Sequence, residues 1–172
     1  MKIGLALACS LAAATAAQAQ EIPNRLIDYP GFAAQVATVG ELRRSHRVTE
    51  EAFIRMAREP DTVILDARSA EKYAQLHVKG ARNLSLPDIT AEELAKIVPD
   101  KSTRVLIYCN NNFLNAPGAF PSKVVTASLN IYTFNVLHSY GYENVYELGP
   151  LLDIRRSKLA FEGSEAGATA AL

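Results

Sequence analysis

Val105-Leu106-Ile107-Tyr108-Cys109-Asn110-Asn111-Asn112-Phe113 is the stretch that decides how this chain folds. Its first four residues form a short apolar run, the signature of a strand buried on both faces, as in parallel sheets. A cysteine follows at once. Three asparagines come next, a residue type that tolerates left-handed backbone and offers neutral donors and acceptors. Thr62-Val63-Ile64-Leu65 repeats the strand signal, Ala81 to Leu86 reads as a further strand stopped by Pro87, and Asn144 to Leu148 as a last one. Helix signals lie between them. Thr49 caps a segment opening with Glu50 and Glu51, Ser69 caps a helix through about Leu76, and Thr90-Ala91-Glu92-Glu93 opens a helix to about Val98. Val124 to Tyr140, closed by Gly141, reads as a largely buried helix. Strands alternating with helices predict an α/β fold: a central, mainly parallel β-sheet flanked by helices on both faces. In such sheets sites form at the carboxyl ends of strands, which is where Cys109 stands.

Composition narrows the function classes. The chain has 172 residues, 49% hydrophobic and 21% charged, with 18 basic and 18 acidic side chains and two cysteines. That suffices for one domain with a real core. Neutral charge removes the electrostatic footprint of a general nucleic-acid binder, and no nucleic-acid partner is expected. Met1 to Ala19 carries Lys2, an apolar run from Ile3 to Ala17 and the closing Ala17-Gln18-Ala19, the pattern of a secretory signal peptide cleaved after Ala19. The expectation is an exported, periplasmic protein with no membrane association after cleavage. Cleavage removes Cys9, so the mature chain holds a single thiol, Cys109, either buried and inert or kept for chemistry. It also leaves 17 cations against 18 anions.

Residues 20–42, with Pro23, Pro30, Gly31 and Gly40, read as an N-terminal arm wrapped on a domain spanning 43–162. Arg43-Arg44-Ser45-His46-Arg47 reads as a solvated basic turn, and 163–172 as a flexible tail.

Three blocks in order resemble the rhodanese (sulfurtransferase) domain family. Leu65-Asp66-Ala67-Arg68, then Glu71 and Tyr73, then His77-Val78-Lys79-Gly80-Ala81-Arg82-Asn83-Leu84 matches the family's "D-x-R … E-Y … H-I-x-G-A-x-N". Val105 to Cys109 matches the strand leading into the nucleophile, and Gly141-Tyr142-Glu143-Asn144-Val145-Tyr146-Glu147-Leu148 matches "G-[FY]-x-N-V-Y-x-L". The resemblance runs from about Val48 to Gly149. It implies a rhodanese-like fold in which Cys109 takes a sulfane sulfur from a thiosulfate-like donor and passes it, as a persulfide, to a thiol or cyanide-like acceptor. It implies no metal or organic cofactor. The attacking species is a thiolate, so the site must stabilise anionic sulfur, as inward amides and a helix N-terminus can.

The chain departs from the family's pattern after the cysteine. Active rhodaneses have a tight loop there, ending in arginine; here the loop runs from Asn110 to Ser122 without a charge, and Lys123 is the first cation. The family's closing Gly-Gly-x-x-x-Trp is absent. Asn110, Asn111, Asn112 and Phe113 are the expected substrate-contacting residues, with Phe113 and Phe120 either lidding the site or, as favoured, pinning the loop. Asp66 and Arg68 are expected to support the loop as an ion pair. His46, His77 and His138 lack metal-ligand spacing, and no metal site is expected. Arg155 and Arg156 are expected at a solvated helix end. Three readings stay open: a sulfurtransferase, a catalytically weak or inactive rhodanese-fold module binding a partner, and a periplasmic thiol redox or sensing protein.

Overall fold

The computed structural model describes residues 22–169; the leader read from Met1 to Ala19 lies outside them. In chain order the elements are α1 (Tyr29–His46), β1 (Arg47–Val48), α2 (Glu50–Met56), β2 (Thr62–Asp66), α3 (Ala70–Gln75) and β3 (His77–Val78). There follow β4 (Arg82–Asn83), α4 (Ala91–Ile97), β5 (Arg104–Tyr108), β6 (Phe113–Leu114), α5 (Leu129–Ser139), β7 (Val145–Leu148), β8 (Leu152–Asp153), β9 (Phe161–Glu162) and α6 (Ala166–Thr169).

Five strands form one parallel sheet in the order β1-β7-β5-β2-β4. The cysteine-bearing strand β5 is therefore central. Its alternating side chains feed two different cores, as a strand's period of two requires. Val105 and Ile107 pack with Leu65, Phe134, Leu137 and Val145 on one face; Leu106 and Tyr108 pack with Phe53, Leu76, Phe113 and Phe120 on the other. Three capping oxygens expected from the sequence are in place: Thr49 accepts from Ala52 N at 3.2 Å, Ser69 from Lys72 N at 3.4 Å and Thr90 from Glu93 N at 3.2 Å. Each ties down an amide that a helix leaves unpaired in its first turn.

Several segments differ from the sequence expectation. The stretch from Tyr29 to His46, expected to be an irregular arm and then a basic turn, is one long helix. Pro30 and Gly31 mark its start: Asp28 caps it by accepting from Gly31 N at 2.8 Å, and proline is tolerated in a helix's first turn. Its apolar stripe is too weak to announce it, and packing holds it in place. Val39 is fully buried, and Gln35 donates to Asn135 O at 2.8 Å on α5. The strand expected over Ala81 to Leu86 pairs only at Arg82 and Asn83, because Leu86–Asp88 turns into a 3₁₀ helix. The helix expected from Val124 begins at Leu129; a 3₁₀ turn at Val125–Ala127 precedes it and Ser128 stands at the junction.

The tail expected to be flexible from Gly163 is anchored at its start. Ser164 N donates to Ala74 O at 3.0 Å and Glu165 N to Gln75 O at 2.9 Å. Gly163 has a φ of 127°, and a Cβ there would lie 2.5 Å from Gln75 O, so only glycine permits this return.

Candidate active site

Alternation along β5 sets the direction of the thiol. Residues 105, 107 and 109 share a face, so Cys109 lies on the side of Ile107, towards α5, while Asn110 falls on the other side. The cysteine is free and 1% exposed. Its Sγ is 3.4 Å from Oγ of Ser128, the residue immediately before α5. A helix of 11 residues thus presents its positive end to the sulfur, a field that favours negative charge there.

The asparagines divide their work. Asn112 is the knot of the loop. Its Oδ1 accepts from Cys109 N at 2.8 Å and from Asn130 Nδ2 at 3.1 Å. Its Nδ2 donates to Leu148 O at 2.7 Å and Pro150 O at 3.2 Å, stitching the end of β5 to the end of β7. Asn111 exchanges two bonds with the Lys123 backbone, donating to its O at 2.8 Å and accepting from its N at 3.0 Å, so it closes the long loop on itself. Asn111 and Asn112 line a cavity of about 440 Å³ together with Cys109. Asn110 lines a different cavity, with Arg68, Lys72 and Lys123.

Phe113 does not line the Cys109 cavity. It is 1% exposed, and its ring sits 4.6 Å from that of Phe120 and 5.3 Å from that of Phe161. The aromatic cluster pins the loop to the core. β6 adds a short parallel pairing with β8, so the loop has secondary structure of its own.

Asp66 and Arg68 support that loop from the neighbouring strand. They are 0% and 3% exposed and pair at 2.5 Å. Arg68 also donates to Ala119 O at 2.9 Å and to Leu76 O at 2.7 Å, and its guanidinium lies 4.1 Å from the centre of the Phe120 ring. Tyr108 OH donates to Asp66 Oδ2 at 2.5 Å and accepts from Val78 N at 3.1 Å. Burial first, and the Asp66 charge next, push the Tyr108 phenol well above its ordinary value, so it is a neutral donor. His77 is structural: it stacks on Tyr73 at 3.8 Å, and Nδ1 lies 2.7 Å from Tyr73 O. Arg155 is engaged by Asp153 at 3.0 Å and does not line the cavity.

Three further side chains line the Cys109 cavity: Arg43 and Arg47, expected from the sequence to stand in a solvated basic turn instead of an anion site, and Glu147, for which no role was expected. Glu147 pairs with Ile107 across the sheet, and its carboxylate is 3% exposed. Arg43 reaches it from the end of α1 through Nε at 3.1 Å and Nη2 at 2.7 Å, and Arg47 from β1 through Nε at 2.8 Å. A signal was present. One acid in an otherwise apolar buried strand requires a cation, and the basic cluster from Arg43 to Arg47 is a source of one.

The family model for the rhodanese-like domain matches residues 49–149. Thiosulfate sulfurtransferase PspE of Escherichia coli (strain K12) is 32% identical over 95 residues, 55% of this chain and 76% of that protein. The BH2092 protein from Bacillus halodurans aligns with a TM-score of 0.50 at 19% identity, covering 82% of this chain and 90% of that one. The rhodanese-like domain of the Anabaena sp. Alr3790 protein, solved by NMR, also aligns with a TM-score of 0.50 at 19% identity, over 74% of this chain and 85% of that one. These two structures share the fold.

Proposed function

The chain belongs to the rhodanese-like domain family, and from that premise we propose that it is a sulfurtransferase that carries a persulfide on Cys109. The Cys109 thiolate attacks the sulfane sulfur of a thiosulfate-like donor. A new S–S bond forms at Sγ, the bond to the sulfonyl sulfur breaks, and its electron pair leaves as sulfite. A thiol or cyanide-like acceptor then attacks the outer sulfur, and the pair of the breaking bond returns to Sγ. The single observation that carries this reading is the placing of Cys109: a free thiol at the carboxyl end of the central strand, opening on a cavity and 3.4 Å from the start of α5. An anionic outer sulfur sits well in that field. The Asn112 bridges hold the sulfur's backbone still while charge moves, which is what positioning contributes to a displacement.

The proposal extends to location. On the leader ending at Ala19, we place the mature chain, beginning at Gln20, in the periplasm. One experiment tests both parts: intact-mass analysis of protein recovered from the periplasmic fraction, before and after thiosulfate. The expected masses are those of a chain starting at Gln20 and, after thiosulfate, the same chain plus one sulfur, with no gain in Cys109→Ser. An accessible thiol that gains no sulfur from thiosulfate would remove the reading.

A further inference from the structure

We propose that Arg43 and Arg47, which lie outside the matched residues 49–149, form the recognition site for the anionic group of the sulfur donor. The inference rests on the sulfurtransferase reading and names the substrate class of that site. The loop after Cys109 holds no charge from Asn110 to Ser122, so nothing in it counters an incoming anion. The cations come instead from the N-terminal helix. Its last turn and the strand that follows bring Arg43 and Arg47 to the wall of the cavity that holds the thiol. Two guanidinium groups face one buried carboxylate, Glu147, and the set keeps one net positive charge.

That surplus is available for binding. Arg47 uses Nε on Glu147 and Nη2 on Gly149 O at 3.0 Å, and among the described residues its Nη1 has no hydrogen-bond partner; its side chain is 55% exposed. Arg43 uses Nε and Nη2 on Glu147, and among the described residues its Nη1 has no hydrogen-bond partner; its side chain is 23% exposed. Glu147 holds both guanidinium planes in fixed orientation, so little side-chain freedom is lost when an oxyanion arrives. A doubly charged oxyanion such as thiosulfate would place its sulfonyl oxygens on these arginines and its sulfane sulfur towards Cys109. The leaving sulfite carries the same charge, so the same arginines stabilise the product as the S–S bond breaks.

The test is steady-state kinetics with thiosulfate on the full mature chain, with persulfide formation on Cys109 followed by mass. Arg47→Gln keeps Glu147 paired to Arg43 and removes one charge. KM for thiosulfate should rise about tenfold, the change that 1.4 kcal/mol represents, with kcat changing less and Arg47→Lys recovering part of the loss. A purely structural role for Arg47 would lower stability and kcat in Arg47→Gln without a selective rise in KM for thiosulfate. Added salt should raise the wild-type KM more steeply than that of Arg47→Gln, since the lost term is electrostatic. If wild-type Cys109 acquires sulfur from thiosulfate but Arg47→Gln has the wild-type KM, or the KM of Arg47→Gln keeps the wild-type salt dependence, the recognition site is wrong and the sulfurtransferase reading stands. If wild-type Cys109 acquires none, both fall.

Discussion

Replacing Arg68 with methionine should remove much of the protein's stability while leaving apolar volume in place. Arg68 is 3% exposed and holds four groups at once: both oxygens of Asp66, Ala119 O and Leu76 O. Without it, the 0% exposed Asp66 carboxylate keeps only the Arg68 backbone N–H at 3.0 Å and the Tyr108 hydroxyl. Breaking a buried ion pair from one side costs about 3–5 kcal/mol, because the remaining charge is left uncompensated. The orphaned carbonyls of Leu76 and Ala119 act in the same direction. At roughly 2–4 °C per kcal/mol for a chain of this size, the melting temperature should drop by about 6–20 °C. The assay is urea unfolding of the purified mature protein, run with Asp66→Asn and the double variant as a mutant cycle. Part of the loss should return in the double variant, since Asp66→Asn removes the stranded charge. A loss below about 1 kcal/mol in Arg68→Met, or a coupling energy near zero, would refute the claim that this pair holds the loop.

Phe113→Ala should destabilise by about 3–5 kcal/mol, read by the same unfolding assay, because the ring is a buried core group. A ring that merely lidded the cavity would show a change in KM and no change in stability. Tyr108 gives a pH signature. Its phenol is raised in the folded state, so its contribution is complete below the unfolded value of about 10 and is lost as pH climbs through the folded value. Stability measured from pH 8 upward should therefore decline beyond about pH 10, and Tyr108→Phe should flatten that decline. An unchanged slope in Tyr108→Phe would assign the alkaline loss to other groups.

Most of what is local was readable in the chain. Thr49, Ser69 and Thr90 announce their helices because a cap is a contact between near neighbours. Val105 to Tyr108 announces a strand buried on both faces because every residue in it is apolar. The helix over Tyr29 to His46 was not readable in this way. Proline and glycine at its start speak equally for an arm, and what decides for helix is its packing against α5 and β7, elements a hundred residues away. The same holds for β9, whose pairing with β3 joins Phe161 and Glu162 to His77 and Val78.

By itself the sequence determined the α/β architecture and the rhodanese-like identity of the domain, and it singled out Cys109 as a thiol at the end of a buried strand. These rest on apolar periodicity, turn chemistry and short motifs, all properties of adjacent residues. Only the tertiary structure decided the company the thiol keeps. It turned Phe113 into the core and split Asn110 from Asn111 and Asn112, because the chain leaves the strand after Cys109 and coils into a 3₁₀ turn over Asn110–Asn112. It also brought Arg43 and Arg47 onto Glu147 at the cavity wall. A buried carboxylate needs a cation but does not specify from where along the chain it must come; the sheet order, with β1 beside β7 and β7 beside β5, supplies that answer.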